Sequence, residues 1–312
     1  MKLLCCAALL LYTAHLAAAV VGVSTGLSAV SFAESALGAR GLLGHECVRF
    51  PTAAHEGLRE AVAMSLDCPP EDFSAWHVRD AEARLIEARP RKLRRLFTAQ
   101  GKRSKGSDRL QDAYHTFITT YVAPQVAAWY GDLDSLFVQS LPSLRVSVPG
   151  KVTGQRHRDR GYGHQPGQLN FWLPLCEARG SSVLFVEDYP PSLDGSKRDR
   201  RASAVPLEGT FGDMHRFYGN GAYHFTKPNE ESTTHSAVPK LSCQFHAIDA
   251  IATRLTGRFL HRRVSLDFRC VPGPLYDDDF EGSRDQKTGT QRFFAGGYYA
   301  EATRHGDAWS IT

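Results

Sequence analysis

His157 and Asp159, then His224 sixty-five residues beyond the carboxylate, then Arg263 and Ser265, are the side chains whose types and spacing could do chemistry. Residues i and i+2 of a β-strand face the same way, so His157 and Asp159 can present an imidazole and a carboxylate together. A second imidazole from a distant strand, His224, completes two His and one carboxylate. That set holds non-haem Fe(II) on one face and leaves coordination positions open. Arg263 and Ser265 repeat the i, i+2 spacing and offer a forked cation with a hydroxyl, suited to gripping a carboxylate. Together they fit iron chemistry served by a keto-acid co-substrate. A His-x-Asp triplet means little alone in a chain with thirteen His. Its meaning lies in the order His-x-Asp, His, Arg-x-Ser, each beside an alternating strand. His164 competes with His157 for the first ligand position, but His157 and Asp159 need no special loop path.

The elements that must position these side chains change character along the chain. Glu56 to Leu66, Ala75 to Ala88 and Asp108 to Val122 carry apolar residues three and four apart, which predicts helices. In the last of these, Leu110, Tyr114, Phe117, Ile118 and Tyr121 fall on one face. Ser107 or Asp108 can cap its start, and Pro124 marks a stop or a kink. From 143 the period becomes two. Leu144-Arg145-Val146-Ser147-Val148 alternates, and Leu169, Phe171, Leu173 and Leu175 oppose Gln168, Asn170 and Trp172. Ser181 to Glu187 is a further strand, and Val264, Leu266, Phe268 and Cys270 oppose Arg263, Ser265, Asp267 and Arg269. Short strands between Gly- and Pro-bearing turns predict an all-β sandwich or jelly roll. His157 and Asp159 follow a Pro149-Gly150 turn and precede a Gly-rich loop, a location that suits the mouth of a barrel. Tyr162, His164 and Gln165 are then expected at the opening. Asn170, on an inward polar face, either contacts co-substrate or substrate or is a buried, satisfied amide.

The 312 residues, 42% of them hydrophobic, suffice for one large domain or a domain with helical flanks. With 37 basic against 33 acidic residues the formal charge is only +4, which argues against an obligatory nucleic-acid partner. The densest basic run, Arg89 to Lys105, reads as a solvated helix end and loop. Lys2, the apolar run Leu3 to Leu11 and the small residues Ala17-Ala18-Ala19 read as a secretory signal peptide, implying a lumenal or secreted protein. No Asp, Glu, Lys or Arg lies between Lys2 and Glu34, so a type II membrane anchor or a plastid-targeting segment also fits. Any membrane contact is confined to that segment. Five further cysteines, Cys47, Cys68, Cys176, Cys243 and Cys270, are odd in number and widely spaced, unlike a disulfide framework or a zinc site. Cys47 and Cys68 either bridge or remain thiols.

The stretch His157-Arg158-Asp159-Arg160-Gly161-Tyr162-Gly163-His164-Gln165-Pro166-Gly167-Gln168-Leu169-Asn170-Phe171-Trp172-Leu173-Pro174-Leu175 resembles the iron site of the streptomycin-biosynthesis hydroxylase-like proteins. These belong to the Fe(II)/2-oxoglutarate-dependent dioxygenase superfamily. Three more segments are similar: Phe217 to Asn220 with His224 to Asn229, Arg263 to Arg269, and Pro272 to Tyr276. The resemblance covers roughly residues 140 to 300. It implies a mainly β (α+β) fold, with a double-stranded β-helix core (jelly roll, cupin-like) and N-terminal buttressing helices. It implies Fe(II) held by His157, Asp159 and His224, and the distal carboxylate of 2-oxoglutarate bound by Arg263 and Ser265. Asn170 would lie on the cofactor side, and Tyr162, His164 and Trp172 toward the substrate. The implied reaction is hydroxylation of a small polar metabolite with O2, releasing succinate and CO2, with ascorbate as an accessory reductant. The alternative is a non-catalytic jelly-roll protein that binds a small molecule or sugar beside a degenerate metal site.

The expected organisation is a signal or membrane-targeting segment over 1–19, a linker over 20–43, a helical flank over 44–140, the β domain over 141–300 and a tail over 301–312. One block departs from the resemblance. The family places the distal His and the Arg-x-Ser about one hairpin apart, whereas residues 235–262 intervene here. Loop entropy tolerates this, since each doubling of length costs only about 0.6 kcal/mol. Long insertions without structure are nonetheless unusual in compact domains. The block therefore reads either as a lid helix, over Phe245 to Leu260, or as translated intron sequence.

Overall fold

Alternating sequence becomes paired strand, and the polar face of each central strand turns toward one interior. The computed structural model describes residues 29–66, 68–73, 105–131, 133–147, 152–187, 204–229, 232–233, 259–260 and 263–312. Its helices are α1 (Ala29–Gly38), α2 (Thr52–Leu66), α3 (Lys105–Phe117) and α4 (Ala123–Tyr130). The early strands are β1 (Glu46–Arg49), β2 (Ser135–Gln139), β3 (Ser143–Ser147), β4 (Leu169–Pro174), β5 (Leu184–Glu187) and β6 (Ala204–Leu207). Then come β7 (Asp213–Phe217), β8 (His224–Phe225), β9 (Ser232–Thr233), β10 (Phe259–Leu260), β11 (Arg263–Pro272), β12 (Tyr299–His305) and β13 (Ala308–Ile311).

The main sheet runs β1-β7-β4-β11-β2-β12-β13, with β3 also paired to β11, and every ladder is antiparallel. A smaller sheet runs β6-β5-β8, and His157 bridges to His224 at its edge. From β3 the chain passes to the small sheet at His157, back at β4, across at β5 and β6, back at β7, across at β8 and back at β11. That winding between two facing sheets is the double-stranded β-helix, or jelly roll. β11 is the long central strand. One of its edges pairs β4, and the other pairs β3 at Arg263 to Asp267 and β2 at Cys270 to Pro272.

Burial follows the two faces. Leu169, Phe171, Leu173, Val264, Leu266, Phe268 and Cys270 join Leu58, Val62, Leu110, Tyr114 and Phe117 in one core between sheet and helices. The helices therefore buttress the outer face of the main sheet. A second, smaller core lies between the sheets, where Trp172 and Phe217 meet Val183, Phe185, Val186 and Leu207. The polar positions between these apolar groups form the site.

Several boundaries differ from expectation. Residues 29–43, read as linker, hold α1, whose Ala33 and Leu37, four apart, are buried. The flank over 44–140 contributes β1 and β2 to the main sheet. The tail over 301–312 is most of the β12–β13 hairpin, with Ala302 and Trp309 in the core. Pro124 neither stops nor breaks the helix. A π turn (Ile118–Val122) precedes it, and the Ala123 N–H reaches the Ile118 carbonyl five residues back. A proline lacks the N–H for the ordinary bond and crowds the carbonyl four residues earlier, so one wide turn lets α4 continue. Among the described residues no disulfide joins Cys47 to Cys68. The N-terminal 1–19 segment, the helix over Ala75 to Ala88, most of the basic run, Cys243 and nearly all of the 235–262 block lie outside the described residues. Among the described residues no helix is long and apolar enough to cross a membrane.

Candidate metal centre

His157 and His224 meet because their backbones do. The His224 N–H donates to the His157 carbonyl (2.9 Å) and the His157 N–H to the His224 carbonyl (3.2 Å). This sets the two imidazole centroids 4.2 Å apart. Asp159 arrives differently from the strand geometry anticipated. Arg158 is extended (φ −119°, ψ 143°), but Asp159 opens a short 3-10 turn, Asp159–Tyr162. One extended residue is enough to bring 157 and 159 to the same side. The Asp159 N–H is then anchored on the Gly219 carbonyl at 2.9 Å.

The resulting cluster could hold a metal ion by its chemistry. Asp159 Oδ1 lies 3.6 Å from His157 Nε2 and 3.5 Å from His224 Nε2, and ligand atoms of all three lie within 4.8 Å of one another. The opposite ring nitrogens face carbonyls: His157 Nδ1 lies 2.6 Å from Gln155 O, and His224 Nδ1 3.3 Å from Ala222 O. A carbonyl only accepts, so each Nδ1 carries a proton, and a ring in its neutral form turns the Nε2 lone pair inward. Asp159 Oδ1 is buried and has no hydrogen-bond partner. With both rings neutral, three residues bring lone pairs together around one point, a donor set that suits a divalent metal. Burial would raise the Asp159 carboxyl, but Arg269 and the two imidazoles hold it well below the usual carboxylate range.

Arg263 lines the same cleft as His157, Asn170, Trp172 and His224, and Ser265 lies two residues along the same strand. Arg263 is 1% exposed; its Nη1 donates to the Ser182 carbonyl at 2.7 Å, while its Nε has no partner. Ser265 Oγ, fully buried, also has none. No carboxylate among the described residues ion-pairs with Arg263, and burial pulls its guanidinium down to about 10. A buried cation with spare donors beside a spare hydroxyl suits an anionic ligand such as a carboxylate.

No family model matches the chain. Over 147 residues it is 24% identical to the streptomycin biosynthesis protein StrG of Streptomyces griseus, covering 47% of this chain and 52% of that protein. The chain therefore spans about half the length of the curated relative it matches. It resembles the Fe(II)/2-oxoglutarate-dependent dioxygenases. Solved structures similar to it include SnoN, a non-haem α-ketoglutarate-dependent epimerase from nogalamycin biosynthesis. That match has a TM-score of 0.40 at 12% identity over 90% of this chain and 98% of that one. A prolyl-4-hydroxylase of Pseudomonas putida matches with a TM-score of 0.36 at 10% identity, over 77% of this chain and 91% of that one.

The remaining residues singled out from sequence divide. Trp172 is buried and lines the cleft. Tyr162 is 54% exposed, with its ring edge-on to His157 at 5.1 Å, so it stands at the rim. His164 does not border the opening. It is buried, stacked on Phe293 at 4.0 Å, and burial with Arg269 lowers its imidazole to about 3. A large aromatic neighbour from the C-terminal part claims this ring. Asn170 lines the cleft, and its amide is engaged with the site: Nδ2 donates to Asp159 Oδ2 at 2.7 Å, and Oδ1 accepts from Gln168 at 3.2 Å. It therefore orients the carboxylate through one of its two N–H groups. Sequence reading missed Gln168 and Arg269 as site residues, although alternation placed both on the polar faces. The missing knowledge was that these faces converge on Asp159.

Proposed function

We propose that this chain is an Fe(II)- and 2-oxoglutarate-dependent dioxygenase that hydroxylates a small polar metabolite. The observation that carries the reading is the partnerless Asp159 Oδ1, buried between two inward-facing imidazole nitrogens and across a cleft from an unpaired guanidinium. His157, Asp159 and His224 would hold the iron; Arg263 and Ser265 would bind the far carboxylate of 2-oxoglutarate. The bound iron and co-substrate supply the oxidising power, with O2 consumed and succinate and CO2 released.

The protein's own part is placement and exclusion. Arg263, already buried, need not be desolvated when the co-substrate docks, and its fork fixes the orientation of that carboxylate. Trp172, Phe217, Leu184 and Phe225 line the cleft with apolar surface that keeps water out. Tyr162 and Thr153 stand where a polar substrate can be met by hydroxyl groups. A carboxylate at 159 occupies the position that a halogenase leaves for halide, which favours hydroxylation.

Purified protein supplied with Fe(II), ascorbate and 2-oxoglutarate should form succinate slowly even without substrate. His224→Ala should abolish metal binding and this turnover, whereas His235→Ala, at a nearby histidine outside the His-x-Asp, His, Arg-x-Ser order, should leave both intact. No succinate under any condition, together with metal binding retained, would favour the non-catalytic alternative. Loss of metal on changing His235 and not His224 would show that the distal ligand is misassigned.

A further inference from the structure

Asp159 distributes its hydrogen bonds unevenly. Gln168 Nε2 (2.9 Å), Asn170 Nδ2 (2.7 Å) and Arg269 Nε (2.8 Å) all donate to Oδ2, whereas Oδ1 receives nothing. A carboxylate carries about four lone-pair sites over its two oxygens, so three donors fill the capacity of one. The donors come from neighbouring strands. Asn170 and Arg269 are register partners in the β4–β11 ladder, and Gln168 precedes β4 on the same face.

Each donor is itself held. The Tyr299 hydroxyl donates to Gln168 Oε1 at 3.1 Å, and Gln168 Nε2 also donates to Asn170 Oδ1 at 3.2 Å. Arg269 Nη1 donates to Gln139 Oε1 at 3.2 Å, which also accepts from the Tyr298 hydroxyl at 2.9 Å. Gly219 closes the back, since a Cβ there would fall 2.5 Å from the Asn170 amide. The network reaches β2 and β12, so the far side of the main sheet supports the carboxylate.

We propose that Gln168, Asn170 and Arg269 are positioning residues that commit Asp159 to bind a divalent transition metal through Oδ1 alone. This rests on reading the cluster as a metal centre. Swinging Oδ2 toward the ion would break three hydrogen bonds at once, one of them to a buried guanidinium. The cage therefore withholds the second oxygen and preserves the positions that co-ligands need. Outer partners of this kind typically change metal affinity 10–100-fold when removed.

Co(II) is the probe, followed by its visible absorption bands and by the metal-induced rise in unfolding temperature, without co-substrate or substrate. Arg269→Gln and Asn170→Ala should each weaken Co(II) about 10–100-fold and alter the absorption bands, as a carboxylate freed to turn changes the ligand field. Arg269→Lys should recover part of the affinity, because it restores a charged donor. A drop in metal-free stability with unchanged Co(II) affinity and spectrum would overturn the proposal by making the cage purely structural. If Arg269→Gln does not fold, Asn170→Ala and the near-isosteric Tyr299→Phe decide on the same readouts. Wild-type protein that binds no Co(II) would sink the metal-centre reading itself, and this inference with it. Wild-type binding with indifferent variants would sink only the inference.

Discussion

A guanidinium that is 1% exposed and ion-pairs with no carboxylate among the described residues is an uncommon thing to bury, and Arg263 is one. Its hydrogen bond to the Ser182 carbonyl leaves Nε unsatisfied. Unpaired buried charge opposes folding, and replacing buried ionic groups with apolar ones of similar volume is often neutral or stabilising by about 1–4 kcal/mol. Arg263→Met should therefore leave the free energy of unfolding of the ligand-free protein unchanged or raised, measured by denaturant titration. The same variant should bind 2-oxoglutarate at least about 30-fold more weakly by calorimetry, since a charged hydrogen-bonded partner is worth roughly 2–5 kcal/mol when one side is removed. A variant that is strongly destabilised while still binding 2-oxoglutarate would make Arg263 structural. Ser265, equally buried and also without a partner, belongs to the same trade between folding and binding.

At the scale of elements, the segment from Phe217 to Asn220 acts as a last for the metal-bearing loop. Gly219 O accepts from Asp159 N–H, Asn220 Nδ2 donates to the His164 and Gln165 carbonyls, and the Tyr218 hydroxyl donates to the Pro166 carbonyl. Arg160 Nε returns a bond to the Asn220 carbonyl at 2.7 Å. Gly219→Ala would drive a methyl group into the Asn170 amide. It should cost about 1–3 kcal/mol of stability and weaken metal binding, whereas Gly161→Ala, with open space around it, should do neither. Equal effects from both would mean that loop composition, and not this close approach, controls the site. The same elements show what a sequence can reveal. Alternation exposed β3, β4 and β11 because a strand buried on one apolar face must repeat every second residue, and it put Asn170, Ser265 and Arg269 on the inner side. It could not expose β1, whose Glu-Cys-Val-Arg lies at a sheet edge, or the 3-10 turn at Asp159, which tertiary bonds to Gly219 impose. Nor could it show that His164 is claimed by Phe293, a contact spanning more than a hundred residues.

For the whole molecule, the question is how a cleft holding both His224 and Arg263 tolerates a block inserted between them. Two observations bear on it. Strands β9 and β10 pair antiparallel, Ser232 with Leu260 and Thr233 with Phe259, so the chain leaves and re-enters side by side. Ahead of the block, Asn229 Nδ2 reaches the Ser147 carbonyl at 3.4 Å, and Ser147 is the register partner of Arg263. The chain before the block thus already lies beside the first residue of β11. Residues 230–234 can reach about 3.3–3.6 Å each when extended, ample to rejoin that strand directly. Shortening the connection also lowers its closure entropy, by about 0.6 kcal/mol per halving. Removal of 235–262, joining Thr234 to Arg263, should therefore give a folded protein. Its Co(II) affinity should stay within about threefold of the full chain, because every ligand and every member of the cage lies outside the block. Turnover separates the two origins of the block. Unchanged succinate formation means that the block is dispensable, as translated intron sequence would be, and a message lacking it should then be found. Retained metal and 2-oxoglutarate binding with turnover reduced tenfold or more assigns the block to a lid that excludes water. Loss of 2-oxoglutarate binding in a folded, metal-competent deletion would contradict the geometry of Asn229 and Ser147, because the start of β11 would then depend on the inserted residues for its register.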